Sequence, residues 1–382
     1  MRSLQTIYLD YNATTPIAPT VLEAMQPFLT RFYGNPSSDH SYGRATYHAV
    51  EEAREKVAAM LGAVGDEIVF TAGGTESNNL AMIGAMRKHS PFPGGHVVIS
   101  SIEHPATSAP ARYLEQNGFD VTVCPCDSNG LIHVDSVKAS LREDTRLVSV
   151  MHANNEIGTI QPIREIVQCC RPHGVLVHTD AAQSVGKVPI NVVEMGVDLL
   201  SMAGHKFYAP KGVGALYIRR GVDVRPILFG AGHESGLRPG TENVPFIVAI
   251  GAAAELAARG SHDTHERLTR LRDRLVELLR ERFGQRLVVH GEPVPRLPNT
   301  LSASFPGVSG RELLGRTPEL CASVGSACHG GDSVGSTTLQ AMGVSRQAAL
   351  GTVRLSMGWP TSIDEVEKAA GLLKAAWDQL AS

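Results

Sequence analysis

Short apolar runs rich in β-branched residues punctuate the first two-thirds of the chain: EIVF (67–70), HVVIS (96–100), RLVSVM (146–151), VLVHTD (175–180) and DLLSM (198–202). Alanine-rich stretches with helical spacing separate them. AVEEAREKVAAMLG sets its apolar residues on one face and ends on Gly62, which predicts a helix with a glycine cap. This alternation is the pattern of a mostly parallel sheet wrapped by helices. From about Phe246 to Phe283 an alanine-, leucine- and arginine-rich stretch predicts one long helix. It leads to a smaller α+β region with strands TLSASF and TVRLSM and a last helix SIDEVEKAAGLLKAAWDQL. A chain of 382 residues is long for one core. The expected fold class is α/β, with a large domain over residues 15–255 and a small domain built from residues 1–14 and 256–382.

Each predicted strand runs straight into glycines or chemically active side chains. EIVF is followed by TAGGTES, HVVIS by SIEHPA, RLVSVM by HANNEIG and DLLSM by AGHK, while VLVHTD itself ends in Asp180. In open α/β sheets, ligands bind in the crevice outside the carboxyl ends of the strands. One or two such loops would be ordinary helix caps; five together predict a site.

The net charge of −3 gives no electrostatic reason to expect a direct nucleic-acid partner or an acidic membrane surface. No apolar run reaches the roughly 18 residues of a membrane span. The opening MRSLQTIYLDYNATTP lacks the apolar region of a signal peptide. A cytoplasmic protein is therefore expected. Of the six cysteines, Cys124 and Cys126 form CPC, and Cys169 and Cys170 are adjacent. No second CxxC completes a zinc-type set, so no metal is expected. These four, with Cys321, read as buried or idle thiols. Cys328 differs: it lies in GSACHGGDSVGS (325–336), a glycine- and serine-rich stretch that cannot build a core.

The strand-end residues carry a common chemistry. Gly73 and Gly74 let backbone N–H groups approach an anion, and Thr75 and Ser77 add hydroxyls at a helix N-terminus. Taken alone, that turn is better read as an N-cap. The motif is neither a Walker loop nor GxGxxG, so a single small phosphate monoester fits better than a nucleotide. Lys206 follows a strand in an apolar setting beside Phe207 and Tyr208, where desolvation lowers an amine's pKa towards one able to form an imine. Asp180 at a strand end wants a cationic partner such as a protonated pyridine nitrogen. His104 reads either as a capping residue or as a ring that stacks on an aromatic cofactor, and Gln183 as a donor to a phenolic oxygen. Phosphate cradle, imine lysine, carboxylate and imidazole together describe pyridoxal 5′-phosphate.

From Tyr8 to Gly358, the motifs YLDYNATTP, GNPSS, FTAGGTESNNLA, IEHPA, NNEIGTIQPI, DAAQSVGK, GHKFYAPKG, RPGTENVP, GSACH and VRLSMG occur in order. In this the chain resembles the pyridoxal-phosphate cysteine desulfurases and their sister selenocysteine lyases. The resemblance implies the PLP-dependent transferase fold of the aspartate-aminotransferase type. It implies Lys206 as the lysine that carries the cofactor, Asp180 at the pyridinium and Gln183 at the phenolic oxygen. His104 becomes the stacking ring and acid/base. Gly74, Thr75 and His205 hold the phosphate, and Thr241 of RPGTEN reaches the phosphate of a neighbouring subunit, which implies a homodimer. Asn12, Asn155 and Arg354 hold cofactor and substrate carboxylate. Cys328 takes the substrate's sulfur as a persulfide and passes it to an acceptor protein, with glycines 330, 331 and 335 supplying mobility.

Three departures qualify the resemblance. Ala203 stands where a phosphate-binding serine is common, and Ser201 is the expected substitute. Ala209 replaces a glycine. The chain also ends at Ser382, soon after its last helix, without the longer tail that docks an iron–sulfur scaffold. The favoured reading is conversion of L-cysteine to L-alanine, the alternative release of selenide from L-selenocysteine. An ordinary aminotransferase, or a non-catalytic module on the same fold, fits the cysteine loop and the intact Lys206, Asp180 and His104 less well.

Overall fold

The computed structural model describes residues 6–87, 94–324 and 335–381. Strand β1 (Ile7–Tyr8) stands apart from the main sheet. Seven strands form that sheet: β2 (Ile68–Thr71), β3 (His96–Ser100), β4 (Asp120–Cys124), β5 (Thr145–Ser149), β6 (Leu176–Asp180), β7 (Leu199–Ala203) and β8 (Gly214–Ile218). Their order is β2-β8-β7-β6-β5-β3-β4. Only β8 runs against its neighbours, so the other six point the same way and their carboxyl ends share one edge.

The apolar runs are continuous because both faces of the sheet are covered. Val98, Val148 and Leu200 enter one core, while Val97, Leu147 and Leu199 beside them enter another on the opposite face. Two strands of this sheet escaped the pattern reading. β4 is an edge strand whose first four residues are exposed or part-buried without a regular alternation, and β8 opens on a glycine. RLVSVM pairs one residue earlier than expected and stops at Ser149, leaving Val150 and Met151 to run on towards the site.

Four helices shape the site's surroundings: α1 (Pro19–Thr30), α2 (Ser41–Leu61), α3 (Gly74–Arg87) and α4 (Pro105–Gln116). α2 starts earlier than its apolar face suggests, because His40 Nδ1 accepts from the Gly43 N–H at 3.2 Å as an N-cap. It ends on Gly62 in the left-handed conformation, φ 70°, the expected glycine cap. The long helix spans Val244–Phe283 and bends by 76° between Val244–Gly260 and the segment Asp263–Arg286, which runs on into a short 3-10 turn. No single helix among the described residues is long and apolar enough to cross a membrane.

Beyond it lie β9 (Val288–Val289), β10 (Thr300–Ser304), β11 (Leu320–Cys321) and β12 (Thr352–Ser356). β12, β10 and β9 form an antiparallel sheet, and β11 pairs in parallel with β1. The helix Ile363–Ala381 closes this part. One apolar core gathers Val21, Phe70, Val148, Met202 and Ile250; a separate one gathers Leu9, Leu271, Leu301, Leu355 and Leu373.

Candidate active site

The strand ends of the main sheet face the small sheet across a cavity of about 930 Å³. At its floor, β6 delivers Asp180, which is 7% exposed. One carboxylate oxygen accepts from Asn78 Nδ2 at 2.7 Å and the other from the Ala182 N–H at 2.9 Å. Both partners are neutral, and among the described residues no cation pairs with Asp180. A buried carboxylate held this way favours a cationic guest.

The anion end is built by the turn between β2 and α3. Gly73 has φ 150°, which a side chain would make strained. A Cβ on Gly74 would stand 3.2 Å from the Cβ of Ala203. A side chain would strain the turn at Gly73 and crowd it at Gly74, so the two glycines leave the first-turn N–H groups of α3 and the Thr75 hydroxyl to face an anion. His205 follows β7. Burial, reinforced by the charges of Lys206, Lys211 and Lys187, holds its pKa near 4, so the ring is neutral. Its Nδ1 lies 3.2 Å from the Thr14 hydroxyl.

Lys206 stands next to it, with Nζ donating to the carbonyls of Asn12 at 2.7 Å and Ala13 at 2.8 Å. Burial first, and the Arg354 charge second, lower its pKa to about 8. The turn after it is fixed by Tyr208, whose φ of 72° is unusual for a side chain of this size. The Tyr208 N–H donates to Thr15 Oγ1 at 2.9 Å, and its ring stacks on Trp359 with centroids 3.7 Å apart. Its hydroxyl accepts from the Trp359 N–H at 2.6 Å.

His104 takes the capping role and also stands at the cavity. Its Nδ1 accepts from the Ala106 N–H at 3.0 Å as the N-cap of α4, and its ring also lines the cavity. With Nδ1 accepting, the proton of the neutral ring sits on Nε2. Gln183 is buried in the wall and donates from Nε2 to the Asn12 carbonyl at 3.0 Å.

The facing wall comes from distant parts of the chain. Arg354 on β12 donates to Asp10 at 2.7 Å and to the Asn155 carbonyl at 3.0 Å, and its Nε is buried with no partner among the described residues. Asn12 Nδ2 donates to that same carbonyl at 3.2 Å and to Thr300 Oγ1 at 2.8 Å. Arg354 thus keeps uncommitted N–H groups beside a cavity lined by Asn12 and Asn155, as carboxylate recognition requires.

One expectation is corrected. Ser201 lies two residues short of the β7 end, is fully buried, and shares its hydroxyl with His178 Nε2 at 2.9 Å. His178 is tied at its other nitrogen to Ser149 at 2.8 Å, so Ser201 does not line the cavity and cannot replace the absent serine. Ala203 does line it, with a methyl group. Ala209 is accommodated without strain: it is buried, has no positive φ, and its N–H donates to the Gly204 carbonyl at 3.1 Å. Thr241 is exposed and lies outside the cavity of its own chain.

Cys328, with Gly330 and Gly331, lies outside the described residues. The chain on either side of that segment reaches the site. Ser323 exchanges two backbone hydrogen bonds with Arg354, at 3.2 and 2.6 Å, and Thr337 and Thr338 line the cavity. Of the thiols read as buried or idle, Cys124 and Cys170 are buried, and burial pushes the first up to about 11 and the second to about 12.

Three site residues escaped the sequence reading. Asn78 holds Asp180, and Lys187 lies buried behind Gln183. Glu103 lines the cavity, accepts from the Ser100 hydroxyl and from the Met151 N–H at 2.8 Å, and is raised by burial to about 8, so it is a neutral acid at pH 7. A polar residue's depth is not written in its own neighbours; the only signal was their place inside motifs otherwise full of site residues.

A floor carboxylate without a cation, a glycine cradle at a helix N-terminus and a lysine held near 8 fit pyridoxal 5′-phosphate. The comparisons agree. The aminotransferase class-V family model matches residues 7–369. "Cysteine desulfurase IscS" of Dictyoglomus turgidum is 44% identical over 98% of this chain and 95% of its own length. The protein of the same name from Anaeromyxobacter dehalogenans is 46% identical over 96% and 91%. Among solved structures, "NIFS-LIKE PROTEIN" superposes with a TM-score of 0.90 at 37% identity, covering 98% of this chain and 99% of its own. "SspA in complex with cysteine" gives 0.83 at 37% identity, covering 92% and 99%. The chain belongs to the class-V aminotransferases, enzymes that work with pyridoxal 5′-phosphate.

Proposed function

We propose that this enzyme converts L-cysteine to L-alanine and transfers the sulfur to its own Cys328. The observation that carries the reading is the lysine–carboxylate–arginine arrangement around one cavity, reached from both sides by the chain that bears Cys328. The similar proteins named cysteine desulfurase support it. When bound, pyridoxal 5′-phosphate supplies an electron sink for the carbon that loses its proton.

The chain's own residues do the rest. Arg354, with Asn12 and Asn155 beside it, holds the substrate carboxylate. Asp180 keeps the ring nitrogen protonated, and the α3 N-terminus, Thr75 and His205 hold the phosphate. Lys206, lowered to about 8, is a base at the substrate α-carbon near neutral pH. The neutral His104 offers an Nε2 proton over the ring. The Cys328 thiolate then forms an S–S bond with the substrate sulfur as the C–S bond breaks. The electron pair stays on the β-carbon, which takes up a proton; Lys206 returns its proton to the α-carbon, and the product leaves as alanine.

The finer reading includes a homodimer in which Thr241 completes the partner's phosphate site. Its support is the exposed position of Thr241, with Phe229 82% and Tyr33 71% exposed on the same chain. It includes a cytoplasmic enzyme and an acceptor protein for the sulfur. Selenocysteine remains the alternative substrate, favoured by one observation: the methyl of Ala203 at the phosphate end, where a serine is common in desulfurases.

The test is alanine formation from L-cysteine and L-selenocysteine, with wild type and Cys328→Ala. Turnover of cysteine that the variant loses supports the desulfurase. Turnover of selenocysteine alone, retained by the variant, replaces it with the lyase.

A further inference from the structure

Lys187 sits four residues after Gln183, and nothing in the chemistry above uses it. It is buried, 7% exposed, yet among the described residues no carboxylate lies within ion-pair distance of it. Burial, with the charges of Lys206 and Arg354 near by, pushes its pKa well below the ordinary lysine value. Lys187 Nζ donates to two acceptors: Gln183 Oε1 at 2.8 Å and Asn12 Oδ1 at 3.2 Å. The same two residues surround Lys206. Gln183 Nε2 donates to the Asn12 carbonyl at 3.0 Å, and that carbonyl accepts from Lys206 Nζ at 2.7 Å.

We propose that Lys187 is a positioning residue. It occupies the Oε1 end of the Gln183 amide, so that Nε2 is the end presented to Asn12 and the cavity. The two ends of an amide are similar in shape, and only hydrogen-bond partners choose between them. Lys187 thereby fixes the donor that serves the cofactor's ring oxygen, and it ties that donor to the N-terminal segment that holds Lys206. A residue serving only to fill space would need the apolar stem and not the amine.

The proposal rests on the reading of Gln183 as the ring-oxygen donor, and a double-mutant cycle separates the two. Holoenzymes of wild type, Lys187→Met, Gln183→Ala and the double variant are compared by the position and pH midpoint of the visible absorption band. Their cofactor dissociation constants are measured alongside. Lys187→Met is expected to shift the band and weaken cofactor binding about tenfold, and to add nothing in the Gln183→Ala background. Lys187→Gln, which keeps two N–H donors, is expected to recover most of the wild-type band. An equal shift with and without Gln183, or no shift at all, overturns the proposal. Gln183→Ala with an unmoved band removes the Gln183 reading and the proposal with it. Should Lys187→Met not fold, the Lys187→Gln variant decides: a wild-type band supports the proposal and a displaced one overturns it.

Discussion

The two walls of the cavity are built on different principles. The sheet wall takes its residues from places where a strand stops: Asp180 ends β6, His205 and Lys206 follow β7, and Gly74 and Thr75 follow β2. Each is placed by a ladder of local pairings, and each binds the part of the site that must not move. The facing wall is assembled from ends of the chain that meet only in the folded state. Asp10 and Arg354 are 344 positions apart, and Asn12 bonds Thr300 across 288. The sheet wall suits a resident cofactor, the facing wall a substrate that comes and goes.

That division can be broken by experiment. Lys206→Ala should cost the most, with turnover falling by about 10²–10⁴ and the visible band lost. Asp180→Asn keeps the shape and removes the charge; kcat should fall about a hundredfold, read by steady-state alanine formation. Arg354→Lys keeps the charge and loses the fork, so KM for cysteine should rise about tenfold with the band unmoved. Loss of cofactor in this variant would show that the walls are not separate.

The two walls meet electrostatically at Lys206. Its pKa is lowered to about 8, and a base must be neutral to act, so kcat should fall as the pH drops below about 8 and level off above it. Arg354 is one of the charges that lowers this value, so Arg354→Gln should move the midpoint upward while Arg354→Lys leaves it in place. The smallest effect is expected from Asn78→Ala. It removes one neutral donor from Asp180 and should weaken cofactor binding about fivefold, measured by spectral titration.

How much of this was legible follows the same line. Strand-end residues announce themselves, because an apolar run followed by glycine and a polar residue is a local pattern. Asn12 and Arg354 were reached only through family resemblance, since no local signal says that positions 12 and 354 will meet. Ser201 was misplaced because its hydroxyl direction is decided by His178 on the neighbouring strand. Nothing in the sequence around Lys187 marks it as buried, and only the fold shows it to be enclosed.

The long helix carries a consequence of its own. Ile250 and Ala254 in its first half belong to one core, and Leu271 and Leu279 in its second half to the other. Leu9 and Tyr11, two residues apart, divide between the same two cores, and Arg267 donates to the Thr361 carbonyl at 2.9 Å. Neither half can melt without tearing apolar surface from the other. On heating, the chain should therefore lose its structure in one cooperative step, and a calorimeter should record a single heat-absorption peak.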